Sequence, residues 1–228
     1  MVSDNTIAVI GDIHGCINTL RALYEKIINF TTEIYSVGDL VDRGNFSKEV
    51  VEFCIKNEIL CVRGNHEDML INAVEKPNEK TIHLHFNNGG KKTFHSYLGN
   101  LVDATFKDYL DALIQTKHLY YFKNLPLYIE LETIMISHAG FFSYEDKEYI
   151  LWNREKPKKL ENKLQVFGHT PKKSPDHKRH HYVNIDTGCV YFNKLSAVII
   201  NKETGKVIDF IDEKCNSFDT SLNLSRFL

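Results

Sequence analysis

The sequence predicts an α/β fold. Three observations point to it. Residues 1–65 alternate between strand-like and helix-like periodicity, a polar helical stretch follows, and short β-branched runs return afterwards. Thr6–Ile10 is a short apolar run, and Gly11 and Gly15 bracket the turn beyond it. From about Asn18 to Phe30, Leu20, Leu23, Ile27 and Phe30 fall at helical spacing. Ile34–Val37 predicts a second strand, ended by Gly38. Lys48–Lys56 places Val50, Val51, Phe53, Cys54 and Ile55 on a helix, with Ser47 as its cap. Ile59–Val62 is a third strand, ended by Arg63-Gly64. A β-α-β-α-β order implies parallel strands with right-handed crossovers, and such sheets bind ligands at the carboxyl ends of their strands.

The stretch from Glu67 to Asn124 reads as helical, near Met69–Glu75, Thr93–Leu98 and Phe106–Thr116, and predicts a cap over the site. Strand periodicity then returns at Leu127–Leu131, Thr133–Ser137, Leu164–Phe167, Tyr182–Ile185, Leu195–Ile200 and Val207–Ile211. Glu203-Thr204-Gly205 reads as the hairpin turn between the last two. The tail from Lys214 to Leu228 carries no clear pattern. With no repeat and no low-complexity linker, residues 1–228 are expected to form one domain, with 67–124 as a helical insertion.

Composition narrows the function classes. A net charge of -2 supplies no basic field, so no stable nucleic-acid partner is expected. No apolar run nears the roughly 20 residues of a membrane span. The five cysteines are scattered without a C-x-x-C pair, which predicts free thiols in a reducing compartment. The stretch Ile7–Ile10 is too short and lacks the basic flank of a signal peptide, so a cytoplasmic location is expected.

Chemistry follows the strands. The first ends in Gly11-Asp12-Ile13-His14-Gly15, the second in Gly38-Asp39-Leu40-Val41-Asp42-Arg43-Gly44, and the third in Arg63-Gly64-Asn65-His66-Glu67. His138 and His169 follow two later strands. Five strand ends thus offer oxygen and nitrogen donors without cysteine, a set suited to divalent Mn, Fe, Zn, Ni or Co. A carboxylate can bridge two such ions, and ions about 3.5–4 Å apart can clamp a phosphoryl displacement.

In wording and order these motifs resemble the calcineurin-like metallophosphoesterases, and among them the small bacterial and phage serine/threonine protein phosphatases. Ser137-His138-Ala139-Gly140, Gly168-His169-Thr170 and Asn184–Val190 complete the likeness. The resemblance implies a β-sandwich of mixed sheets flanked by helices, with a small helical cap. It implies two divalent metal ions, manganese foremost, with Asp12 and His14 on the first, Asp39 bridging, and Asn65, His138 and His169 on the second. Arg43, Arg63 and Arg154 would hold substrate phosphate. His66 would protonate the leaving group, with Asp42 orienting its ring. Water activated between the metals would attack phosphorus in line, without a phosphoenzyme. The chain departs from its relatives at Ala139, where eukaryotic members often carry glycine, and at Tyr191-Phe192-Asn193, where two glycines are common.

The implied substrates are a phosphorylated protein or a small phosphoester. Asp42-Arg43, Glu67 and Arg154 favour a protein phosphatase; a dinucleoside polyphosphate hydrolase is the alternative, and an inactive phospho-binding module a third. Elsewhere the blander readings prevail. His83 and His85 suit a polar cap, His95 and His118 packed or solvated helix positions, and Lys172–His181 a solvated basic loop. Cys16 suits a small buried apolar position, Asp186 a strand-end turn, and Tyr120, Tyr121 and Phe122 the core.

Overall fold

The computed structural model describes residues 5–99, 101, 103–143 and 147–221. The chain runs β1 (Thr6–Ile10), α1 (Ile17–Ile27), β2 (Ile34–Ser36), α2 (Ser47–Lys56) and β3 (Leu60–Cys61). The helical insertion follows: α3 (Asn65–Glu75), α4 (Glu79–His85), α5 (Lys91–Leu98), α6 (Phe106–Gln115) and α7 (His118–Asn124). The last third carries β4 (Tyr128–Glu130), β5 (Ile134–Ser137), α8 (Lys147–Trp152), β6 (Leu164–Phe167), β7 (Asp176–Lys178), β8 (Tyr182–Asn184), β9 (Lys194–Asn201), β10 (Lys206–Lys214) and α9 (Ser217–Thr220).

Two five-stranded sheets result, ordered β10-β9-β1-β2-β3 and β4-β5-β6-β8-β7. Within the first, β1, β2 and β3 are parallel; within the second, β5, β6 and β8 are parallel. Antiparallel strands close the remaining pairings, so both sheets are mixed.

Side-chain alternation along β1 explains the layering. Ile7 and Val9 point into the space between the sheets, where they meet Ile134, Ile136, Val166, Val183 and Ile185. Ala8 and Ile10 point the other way, onto Leu20, Leu23 and Ile27 of α1 and Val50 and Val51 of α2. Both faces of β1 are therefore buried, and its five residues read as one apolar run rather than an alternation. Each buried aliphatic chain contributes about 1.5–3 kcal/mol.

The insertion joins this second core layer. Leu70, Tyr97, Tyr109, Leu113 and Phe122 belong to the same buried cluster as α1 and α2. Local chemistry sets its helix starts. Asn78 accepts from the Thr81 amide ahead of α4, and Thr105 with Asp108 makes a capping box ahead of α6. A π-helical turn, Phe86–Gly90, joins α4 to α5.

Three expectations need correction. Ser47 does not cap α2; its hydroxyl instead accepts from the Asp42 amide at 3.1 Å. The basic run is not wholly loop: Asp176–Lys178 pairs antiparallel with β8 as an edge strand. Of the three aromatics in α7, Phe122 is buried but Tyr120 is exposed. In the tail, residues beyond 221 lie outside the described set.

Candidate active site

Six parallel strand ends meet at one edge of the sandwich. β1 delivers Asp12 and His14, β2 Asp39, Asp42 and Arg43, and β3 Asn65 and His66. From the other sheet, β5 delivers His138, β6 His169 and β8 Asp186. Asp12, His14, Asp39, Asp42, Asn65, His66, His138, His169 and Asp186 are all buried. A cavity of about 160 Å³ opens onto His14, Asp39, Asn65, His169 and Asp186, lined also by Arg43, Asn88, Trp152, Arg154 and Tyr191.

The turns that carry these residues are strained. His14 (φ 47), Asp39 (φ 50), Asp42 (φ 73), Arg43 (φ 69) and His169 (φ 67) all occupy the left-handed region. Each such non-glycine residue costs on the order of 1–3 kcal/mol. Hydrogen bonds hold the strain in place. The amides of Ile13 and His14 both donate to the Asp39 carbonyl, at 3.1 and 2.8 Å. Glu67 accepts from the amides of Asp39, Leu40 and Gly64 at 3.0, 2.8 and 2.8 Å, so one buried carboxylate fastens the second motif to the third. Gly168 is required by proximity: a Cβ there would strike Asp12 Oδ1.

Tautomers decide what faces the cluster. His14 Nδ1 donates to the Val41 carbonyl at 2.8 Å, and His138 Nδ1 to the Val37 carbonyl at 2.9 Å. Both Nε2 atoms are then left as lone pairs. Burial pushes the His14 ring down to about 3, aided by the Arg43 guanidinium at 2.5 Å from its Nε2. Burial, with His138, likewise brings His169 to about 3. Neutral imidazoles are what metal ligation requires.

Acceptors therefore crowd together. His138 Nε2 lies 2.8 Å from Asn65 Oδ1, 3.2 Å from His169 Nδ1 and 3.5 Å from Asp39 Oδ1. On its other side Asp39 Oδ2 lies 3.4 Å from His14 Nε2. His169 Nε2 is buried with no hydrogen-bond partner among the described residues. Burial, Asp186 and Asp39 push the Asp12 carboxyl well up, and burial with Asp39 pushes Asp186 up to about 7. Lone pairs and carboxylates packed this way repel one another unless cations lie between them. Two overlapping groups, His14-Asp39-His66 and Asp12-Asp39-His138, have donor atoms spaced to hold metal. The donor set thus fits divalent ions.

His66 is oriented from behind. Its Nδ1 donates to Asp42 Oδ2 at 2.7 Å, and its Nε2 faces Asp39 Oδ2 at 3.9 Å. Thr93 Oγ1 of the insertion donates to Asp42 Oδ1 at 2.6 Å, and His85 Nδ1 stands 3.5 Å from Asp42 Oδ2. Burial alone would raise the Asp42 carboxyl, but His85 and the hydrogen bond from His66 hold it far below the usual range.

Arg43 and Arg154 line the cleft, whereas Arg63 does not. Its guanidinium is drawn to Asp68, at 3.6 Å, and to the Lys123 carbonyl, at 2.6 Å. Two residues at the site carry blander readings in the sequence, His85 as part of a polar cap and Asp186 as a strand-end turn, whereas Glu67 lies inside the third motif. Asp186 follows a strand in the same way as the other donors, a signal that could have revealed it.

A two-sheet sandwich whose six strand ends converge on buried His, Asp and Asn donors defines a metal-dependent phosphoester hydrolase. The chain belongs to the calcineurin-like phosphoesterase family, whose model matches residues 6–200. That family works with a dinuclear divalent metal centre. The chain is 28% identical to the asymmetrical bis(5'-nucleosyl)-tetraphosphatase PrpE of Anoxybacillus flavithermus, over 92% of this chain and 98% of that protein. It is 30% identical to serine/threonine-protein phosphatase 1 of Salmonella typhimurium, over 82% of this chain and 88% of that one. Its fold is similar to that of a metallophosphoesterase from Sphaerobacter thermophilus, with a TM-score of 0.61 at 17% identity, covering 92% and 88% of the two chains.

Proposed function

We propose that the chain hydrolyses dinucleoside polyphosphates through a dinuclear metal centre. The observation that carries the substrate class is a pair of aromatic rings on the cleft wall, Trp152 and Tyr191, which are 41% and 56% exposed. Exposed rings beside a phosphate-sized cavity offer a nucleobase a stacking surface, worth about 1–3 kcal/mol per base. The Arg43 guanidinium lies 5.7 Å from the Tyr191 ring centre, which places cation and stacking surface side by side.

In this reading Asp12, His14 and Asp39 would hold one ion, and Asp39, Asn65, His138 and His169 would hold the other. Bound divalent ions supply Lewis acidity and lower the pKa of water from 15.7 to about 7. Arg43 and Arg154 take the phosphate oxygens. Arg63 serves the packing of α3 against α7, held by Asp68 and the Lys123 carbonyl. His66 hands its proton to the leaving phosphate oxygen, while Asp42 keeps Nε2 aimed at the cluster. For a dinucleoside tetraphosphate the products are a nucleoside monophosphate and a nucleoside triphosphate, a split supported by the 28% identity to the asymmetrical bis(5'-nucleosyl)-tetraphosphatase PrpE of Anoxybacillus flavithermus. Five free cysteines support a cytoplasmic setting.

Hydrolysis of phosphoserine or phosphothreonine is the second reading, supported by the 30% identity to serine/threonine-protein phosphatase 1 of Salmonella typhimurium. Tyr191→Ala separates the two. With diadenosine tetraphosphate its KM should rise roughly 10-fold or more, the equivalent of one lost stacking contact, while kcat/KM for a phosphothreonine peptide stays unchanged. Equal losses on both substrates would remove the stacking argument.

A further inference from the structure

Three cysteines distant in sequence meet behind the active-site loops. The Sγ atoms of Cys16, Cys189 and Cys215 lie within 4.8 Å of one another. Cys16 follows the His14-Gly15 turn, Cys189 opens the 3-10 turn Cys189–Tyr191 beyond Asp186, and Cys215 follows β10. All three are free; Cys16 and Cys189 are buried, and Cys215 is half-buried.

Their packing with apolar neighbours accounts for burial but not for the meeting of three sulfurs. Three thiolates on one ion, at about 2.3 Å each, stand roughly 4 Å apart, so the observed spacing needs to contract by less than about 1 Å. The neighbouring Cys16 and Cys189 sulfurs hold the Cys215 thiol below its usual range, against the effect of burial. No other His, Cys, Asp or Glu donor joins the group among the described residues. Asp219, whose charge reaches Cys16 and Cys189, is already engaged: it accepts from the amide and side chain of Asn18 at 3.0 and 2.8 Å and of Thr19 at 2.9 and 2.6 Å.

We propose that Cys16, Cys189 and Cys215 form a three-thiolate site for a thiophilic d10 ion, Zn²⁺ or Cu⁺, separate from the dinuclear centre. Thiolate sulfur selects these ions over the harder divalent ions that His, Asp and Asn donors take. An ion held by three sulfurs takes them as thiolates, so binding releases thiol protons and affinity falls as pH drops. The ion ties the segment after β10 to the loop that carries His14 and to the loop that carries Asp186 and Tyr191.

Cadmium is the probe. The full chain, reduced with a phosphine and kept anaerobic, is titrated with Cd²⁺ while thiolate-to-metal charge-transfer absorption is followed. Nitrogen and oxygen donors give no such band, so the dinuclear centre is silent. Wild type should gain a band that saturates at a single ion per chain, together with a higher Tm. Cys215→Ser should lose the band, and Asp39→Asn should keep it in full. Displacement of cadmium by Zn²⁺ or by Cu⁺ identifies the ion. Absence of the band in wild type, its persistence in Cys215→Ser, or displacement by neither ion overturns the proposal. Should Cys215→Ser fail to fold, wild type answers alone: cadmium must protect Cys215 from alkylation, and unprotected alkylation at saturating cadmium overturns the site.

Discussion

Asp39 stands between two groups of donors, one oxygen toward His14 and the other toward His138. Replacing it with Asn keeps the shape but removes the charge that both sides share. Asp39→Asn should therefore lower turnover by more than the ~10–100-fold that follows loss of an outer-shell partner, with metal content falling at both positions by elemental analysis. Near-normal turnover with a full metal complement would sink the bridging role. At this scale most donors were legible because each sits at a fixed offset after a strand-ending glycine. Arg63 lies off the cleft lining because a long side chain takes its direction from tertiary partners, here Asp68 and the Lys123 carbonyl. His85 was missed for the converse reason: its link to Asp42 runs through the fold of the insertion, and its own neighbours in sequence give no hint of it.

Strands were legible as elements because β1, β5 and β6 are buried on both faces and read as mostly apolar runs, interrupted in β6 by Gln165. β7 was not, since Asp176–Lys178 is polar and half-open at a sheet edge. The helical insertion was legible in its long members, yet its contact with the site was not. The π-helical turn carries that contact: the Arg43 amide donates to the Gly89 carbonyl at 3.2 Å. Gly89 has φ 108, and a Cβ on it would lie 2.7 Å from Arg43 Cγ. Gly89→Ala should displace Arg43 and cost more than about 1 kcal/mol of stability, with KM raised several-fold and the metal complement intact. An unchanged KM would detach the insertion from substrate binding. A second element-scale test concerns α7. His118 donates to or accepts from Tyr97 at 2.6 Å, and burial, with Lys48 nearby, brings its ring from 6.5 down to about 4. Between those values the unfolded chain binds a proton that the folded chain does not, so stability falls as pH drops through the window. The urea midpoint should fall more between pH 7 and pH 5 in wild type than in His118→Gln; equal falls would exclude His118 as a source of acid sensitivity.

At the scale of the whole molecule, two mixed sheets press together and bring six parallel strand ends to one edge. The sequence placed five of them there, and the sixth, Asp186 after β8, arrives through the second sheet. Strand direction within each sheet follows from crossover rules, but the facing of one sheet on the other rests on interdigitation of Ile7, Val9, Ile136 and Val183, which periodicity alone does not specify. The family, the fold and the donor set agree on metal-dependent phosphoester hydrolysis. The most direct test is hydrolysis of diadenosine tetraphosphate and a phosphothreonine peptide, side by side, by chelator-stripped protein before and after Mn²⁺ is restored. The account predicts no turnover without metal, and restored turnover that favours the dinucleotide and releases AMP with ATP. Full activity in the stripped protein, or none on either substrate once Mn²⁺ is restored, would contradict it.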